Sequence, residues 1–186
     1  YGDQKESPLK EDMKPNPKNP YALFKYKGEL MCDLFYKLYG LPAVCLRYFN
    51  VYGERQSTQG AYATVIGIFL KQKKNGRPLT IVGNGNQRRD FTYVKDVARA
   101  NVAAMRSKKA IGHVINIGSG KNYSVNEVAK LIDKNHVFIP PRPGEARVTL
   151  ADISKAKKLL GWQPKTKLAD WLKNVPMSDI EDPRFY

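Results

Sequence analysis

Residues Pro20–Asn50 read PYALFKYKGELMCDLFYKLYGLPAVCLRYFN and contain one complete passage from helix to strand. Asn19-Pro20 closes a loop, and Leu23, Met31, Leu34, Phe35 and Leu38 then recur at helical spacing, which predicts a helix from Tyr21 to Tyr39. Gly40 and Pro42 end it, since glycine accepts the turn that stops a helix and proline cannot continue one. Ala43–Phe49 is a short apolar run of strand length, and it predicts a buried strand. A long helix delivering the chain straight into a buried strand is the grammar of an α/β protein.

The alternation continues in both directions. Downstream, a long loop through Gly60 leads to a helix predicted over Tyr62–Asn75, closed by Gly76 and Pro78. Short strands are predicted at Leu79–Val82 and Phe91–Val94, separated by the turn Gly83-Asn84-Gly85. A helix over Lys95–Arg106, a strand over His113–Ile117 and the turn Gly118-Ser119-Gly120 follow. Ser124 and Glu127 have capping-box spacing and start a helix running to about Lys134. Val137–Ile139 is a further apolar run, and Pro140–Arg147 reads as a loop. Helices near Ile153–Leu160 and Leu168–Asn174 complete the pattern, while Lys5–Pro20 upstream is a loop rich in proline and charge. No internal repeat is visible.

Composition limits the functional classes. The chain has 186 residues, 42% apolar, with two cysteines and a formal net charge of +15. Its longest apolar runs, such as Ala43-Val44-Cys45-Leu46, are far shorter than a membrane span. Cys32 and Cys45 cannot build a disulfide framework and lack metal-site spacing, so reduced, buried thiols in a cytoplasmic protein are expected. The charge invites a nucleic-acid reading, but the lysines are dispersed and the densest groups, Lys71–Lys74 and Lys155–Lys158, fall on polar helix faces. A solvated basic surface is the expectation, with neither a nucleic acid nor a membrane as partner.

Tyr21 and Lys25 lie four apart at a helix start and therefore on one face. A free phenol titrates near 10, too high for a base at neutral pH, and an adjacent ammonium favours the phenolate. Such a pair suits proton abstraction from a sugar hydroxyl, although Tyr and Lys also fall four apart on ordinary helices. The pair is followed in order by Arg47-Tyr48-Phe49-Asn50-Val51-Tyr52-Gly53, by Gly60-Ala61-Tyr62-Ala63-Thr64-Val65-Ile66, and by Arg88-Arg89-Asp90-Phe91-Thr92-Tyr93-Val94. Asn116-Ile117-Gly118-Ser119-Gly120, Arg142-Pro143-Gly144-Glu145 and Ala151-Asp152-Ile153-Ser154 complete the set. Together these motifs closely resemble the extended short-chain dehydrogenases/reductases that act on nucleotide sugars, most of all the UDP-hexose and UDP-N-acetylhexosamine 4-epimerases. The resemblance runs from residue 1 to about residue 174.

The resemblance implies NAD as cofactor, a UDP-sugar as substrate and 4-epimerisation as the reaction. Tyr21 matches the base that takes the sugar 4-hydroxyl proton while C4 gives a hydride to NAD, and Lys25 matches the residue that holds the nicotinamide ribose. Tyr48 matches a residue lining the cofactor site, and Asn50 one that contacts the nucleotide sugar. Arg89 and Arg142 match arginines that bind the diphosphate, and Glu145 stands where the family carries a ribose-binding Asp. Ordinary surface or ion-pair roles would also account for these arginines. Thr64, Val65, Thr80 and Val82 match segments that enclose the uracil. Thr149 stands where a bulky Tyr is associated with excluding an N-acetyl group, so a pocket with room for N-acetylated sugars is expected.

The family's Gly-rich pyrophosphate fingerprint is not found, and Gly118-Ser119-Gly120, with Tyr123 at the third glycine position, is a decoy for it. The expected architecture is therefore the C-terminal part of a Rossmann-type doubly wound sheet plus a smaller α/β substrate-binding lobe, without the N-terminal Gly-rich half. Residues 1–53 would be the dinucleotide-domain remnant carrying the Tyr/Lys helix. Residues 54–174 would be mainly the nucleotide-sugar lobe, with some elements returning to the sheet, and 175–186 a tail. A fragment of this kind is expected to be inactive alone and to come from a parent that is a homodimer, in which Met31, Leu34, Phe35 and Leu38 serve the interface or else pack within one subunit. A non-catalytic nucleotide-sugar-binding relative and an NAD-dependent 4,6-dehydratase or decarboxylase are the alternatives.

Overall fold

The computed structural model describes residues 1–60, 63–141, 146–176 and 180. In chain order the main elements are α1 (Pro20–Tyr39), β1 (Cys45–Tyr48), β2 (Val51–Tyr52), α2 (Val65–Lys74), β3 (Leu79–Val82), β4 (Arg88–Asp90), β5 (Thr92–Tyr93) and α3 (Val94–Arg106). They continue as β6 (Val114–Ile117), β7 (Asn122–Ser124), α4 (Val125–Ile132), β8 (His136–Ile139), α5 (Ser154–Leu160) and α6 (Leu168–Asn174). Strands pair as β1 with β6, β2 with β5 and β3 with β8, all parallel, and β4 with β7 antiparallel. Parallel pairs joined through helices make the chain α/β.

Two main cores form. One gathers Tyr52, Ile66, Phe69, Leu79, Ile81, Val128 and Leu168, so α2, β3, α4 and α6 close around it. The other gathers Val97, Ala100, Ile115, Ile117, Ala156 and Trp162, and it seats α3 and α5 against β6. A third, small cluster of Leu9, Phe49 and Ala151 ties the N-terminal loop to the residues before α5.

In burial, the structure departs from the sequence pattern at β1, at the two thiols and along α1. Ala43–Phe49 was expected as a buried strand, but β1 is shorter, its residues are half-buried, and Tyr48 is exposed, because β1 pairs along one edge with β6. Cys32 and Cys45 are half-buried free thiols rather than buried ones. α1 buries none of its residues, and Met31, Leu34, Phe35 and Leu38 remain 41–62% exposed. It is tied to the sheet by a half-buried bidentate pair in which Arg47 Nε and Nη2 donate to Glu29 at 2.8 and 2.7 Å.

α4 carries both halves of its capping box. Glu127 N donates to Ser124 Oγ at 3.0 Å, and Ser124 N donates to Glu127 Oε2 at 2.6 Å, with Arg88 Nη2 3.0 Å from the same oxygen. Ser124→Ala is expected to destabilise the chain by about 1 kcal/mol in urea unfolding at neutral pH. The Ser124 N–H, with Arg88 beside it, holds the Glu127 carboxyl below its ordinary value near 4.5. That contribution is complete above about pH 4.5 and fades as pH falls through the folded-state value, so Glu127→Gln should flatten part of the acid limb of stability. An acid limb identical in the variant and the parent would refute it.

Candidate functional site

Asn19 caps α1 by accepting from Ala22 N at 2.8 Å, and Pro20 at the first helical position leaves the following turn free of strain. Tyr21 and Lys25 therefore project from an ordered helix start. Tyr21 is 62% exposed, and the Lys25 ammonium sits 5.4 Å from the centre of its ring. A phenol and a cation thus share one open face.

A second group forms around Asp90. Asn50 sits at φ 30°, a left-handed conformation that Asn tolerates better than most residues, and its amide Nδ2 donates to the Asp90 carbonyl at 2.9 Å and to Thr149 Oγ1 at 3.3 Å. Thr149 Oγ1 also accepts from Asp90 N at 3.2 Å, and Thr149 N donates to the Arg88 carbonyl at 3.0 Å. Arg89 lies between these contacts on β4, its guanidinium donating to the carbonyls of Arg88 at 3.0 Å and Arg147 at 3.5 Å. The structure thus brings Asn50, Arg89 and Thr149 together from three distant parts of the chain.

The other expected residues stand apart from this group. Tyr48 donates its hydroxyl to Asn101 Oδ1 at 2.8 Å and lines a cavity of about 460 Å³ between β1 and α3, with Val44, Leu46 and Met105. Thr64 caps α2 by accepting from Gly67 N at 3.2 Å, and Val65 packs against the first core. Thr80 exchanges hydrogen bonds with the Gln72 amide at 2.8 and 3.0 Å, two residues before Val82 on β3. Arg142 and Glu145 lie outside the described residues.

Asp90 itself escaped the sequence reading. Its carboxylate is fully buried and accepts four hydrogen bonds, from Ser119 N (2.7 Å), Ser119 Oγ (2.7 Å), Gly120 N (3.0 Å) and Ala151 N (3.1 Å). Burial pushes this carboxyl above its ordinary value while those bonds pull it back. The glycine turn 118–120 is therefore spent on an internal anion, and its N–H groups are not available for a pyrophosphate. A signal was present in the sequence: one acidic residue directly before the apolar Phe91, inside a motif with a second strand-like run.

Among the described residues no group of His, Cys, Asp and Glu could hold a metal ion, and no helix is long and apolar enough to cross a membrane.

Comparison with known proteins gives a consistent picture. A family model described as the NAD dependent epimerase/dehydratase family matches residues 1–118. A Methanocaldococcus jannaschii protein provisionally named a UDP-glucose 4-epimerase is 44% identical over 182 residues, covering 94% of this chain and 58% of that protein. The crystal structure of Thermotoga maritima UDP-glucose 4-epimerase with UDP-glucose superposes with a TM-score of 0.88 at 40% identity, covering 93% of this chain and 57% of that one. A UDP-N-acetyl-alpha-D-glucosaminuronate decarboxylase of Bacillus cytotoxicus is 46% identical over 110 residues, 59% of this chain and 33% of that protein. The chain thus spans little more than half the length of the first two.

Proposed function

The chain belongs to the NAD-dependent epimerase/dehydratase family, and from that premise we propose that the whole protein carrying it epimerises C4 of a UDP-hexose or UDP-N-acetylhexosamine. The observation that carries the reading is the Tyr21–Lys25 pair on the open first turn of α1. In this reading Tyr21, as a phenolate whose charge the Lys25 ammonium offsets, takes the proton of the sugar 4-hydroxyl, stands as a neutral phenol, and then returns the proton. NAD, when bound, would supply reversible hydride transfer at C4. Tyr21 and Lys25 fit the nicotinamide-ribose side of that cofactor, offering a hydroxyl and an ammonium on one face, and Tyr48 is assigned to the same cofactor site.

Asn50 and Thr149 are assigned to the sugar, Arg89 and Arg142 to the diphosphate, Glu145 to the ribose, and Thr64, Val65, Thr80 and Val82 to the walls around the uracil. The contact between Asn50 and Thr149 supports the first of these, and a Thr at position 149, smaller than a Tyr, favours an N-acetylated sugar by volume. A division near residue 53, with β6, α3 and α5 returning to the dinucleotide side, is supported by the two separate cores. The apolar face of α1, which the other described residues leave exposed, supports a homodimer, and a cytoplasmic location belongs to the same proposal.

One preparation of the whole protein tests the set. Interconversion at C4 of UDP-glucose and of UDP-N-acetylglucosamine, followed by NMR, is expected, together with a dimer in sedimentation. The isolated 186-residue chain should neither retain NAD nor turn over substrate, because the Gly118–Gly120 turn between β6 and β7 is committed to Asp90. Release of carbon dioxide from a UDP-uronate, or loss of water from C6, would move the assignment to the decarboxylases or dehydratases. Tight UDP-sugar binding with no turnover by the whole protein would make it a non-catalytic relative.

A further inference from the structure

We propose that Asp90 is a positioning residue for the sugar-nucleotide site, the internal anion that fixes Asn50, Arg89 and Thr149 relative to one another. The inference rests on the assignment of those three residues to the substrate. It starts from an alternation: successive strand residues face opposite ways, so burying Asp90 at the end of β4 turns Arg89 toward the other side. The buried carboxylate then needs donors, since leaving it without them would cost far more than the strand gains by pairing. All four donors are neutral, three backbone N–H groups and the Ser119 hydroxyl, and they come from two segments far away in sequence.

Each segment arrives with a consequence for the site. The Ser119–Gly120 turn closes onto Asp90 through Gly118, where an added Cβ would meet Ala151 Cβ at 2.3 Å and Asp90 Oδ2 at 2.9 Å. The Ala151 N–H holds the strand-like stretch that carries Thr149 beside β4. The backbone of Asp90 completes the arrangement, donating to Thr149 Oγ1 and accepting from Asn50 Nδ2. One residue therefore touches the carriers of both sugar-facing side chains, and its direction sets that of the diphosphate-facing arginine.

The test uses Ser119, which holds Asp90 without standing among the residues assigned to substrate. Ser119→Ala removes one of the four bonds, together with the hydroxyl's contacts to the backbone of Lys121, and leaves the three backbone donors to Asp90, so the chain should still fold. UDP-glucose binding to the 186-residue chain, measured by calorimetry, is expected to weaken by roughly five- to tenfold. Ser119→Thr keeps the hydroxyl and should recover most of that loss. Asn50→Ala added to Ser119→Ala should cost less than Asn50→Ala alone, because the first change has already loosened the amide. A lowered melting temperature with unchanged affinity, or fully additive losses, would overturn the proposal and leave Asp90 a structural residue. No UDP-glucose binding by the parent chain would overturn the substrate assignments and the proposal together, whereas binding that Ser119→Ala leaves intact overturns the proposal alone.

Discussion

In the whole enzyme, Tyr21→Phe is expected to lower turnover by roughly 10²- to 10⁴-fold, the range of a lost general acid–base group, with little change in KM for the UDP-sugar. The substitution removes one oxygen from a side chain that is 62% exposed and that contributes no atom to either core, so the melting temperature should hold. That combination separates chemistry from folding. Lys25→Gln leaves the phenol in place but removes the charge 5.4 Å from its ring, and it should lower turnover by a smaller factor than Tyr21→Phe. Stopped progress in the Tyr21→Phe enzyme, with UDP-sugar binding retained, is the expected measurement. Turnover within threefold of the parent would remove Tyr21 from the mechanism and leave the Tyr-x-x-x-Lys spacing as an ordinary helix start.

The parts of this molecule that could be read from sequence are those whose signal is local. β3 falls at Leu79–Val82 as expected, α6 at Leu168–Asn174, and both halves of the Ser124–Glu127 capping box form, because caps and short apolar runs are decided by a few neighbouring residues. β2, β4 and β7 were missed for the opposite reason. Each has two or three residues, and the sequences Arg88-Arg89-Asp90 and Asn122-Tyr123-Ser124 carry no apolar alternation. They are strands because distant partners pair with them. The same holds for the candidate site: Tyr21 and Lys25 are legible from their spacing, whereas the meeting of Asn50, Asp90 and Thr149 depends on contacts across 40 to 99 residues of chain. The exposed α1 face shows the limit of periodicity from the other side. Apolar spacing says that a face wants a partner and does not say whether that partner lies in the same chain.

Trp162 is where a single truncation should weaken the fold most, by about 3–5 kcal/mol for Trp162→Ala. Its ring is 3% exposed and packs with Val97, Ala100, Ile115, Ile117 and Ala156, so removing it leaves a void bounded by α3, α5 and β6 that rigid elements cannot fill. The indole also donates to the Asp96 carbonyl at 2.9 Å. Asp96 in turn accepts from Lys165 N at 2.9 Å and Thr166 N at 3.0 Å, so Trp162 and its following loop are pinned at both ends to the first turn of α3. Trp162→Phe separates the two contributions. It keeps most of the apolar volume and loses the indole hydrogen bond, which predicts a loss of about 1–2 kcal/mol. Unfolding should be followed by far-UV circular dichroism in urea, because one of the chain's two tryptophans is the residue being replaced. Against a total stability of roughly 5–15 kcal/mol that is a large share, and a parent at the low end of the range would leave the Ala variant partly unfolded without denaturant. It should also loosen Asn50 and Thr149, since β6 leads directly into the Gly118–Gly120 turn that holds Asp90. A Trp162→Ala chain within about 1 kcal/mol of the parent would mean that α3 and α5 collapse onto β6 without it, and that the second core is far more plastic than its close packing implies.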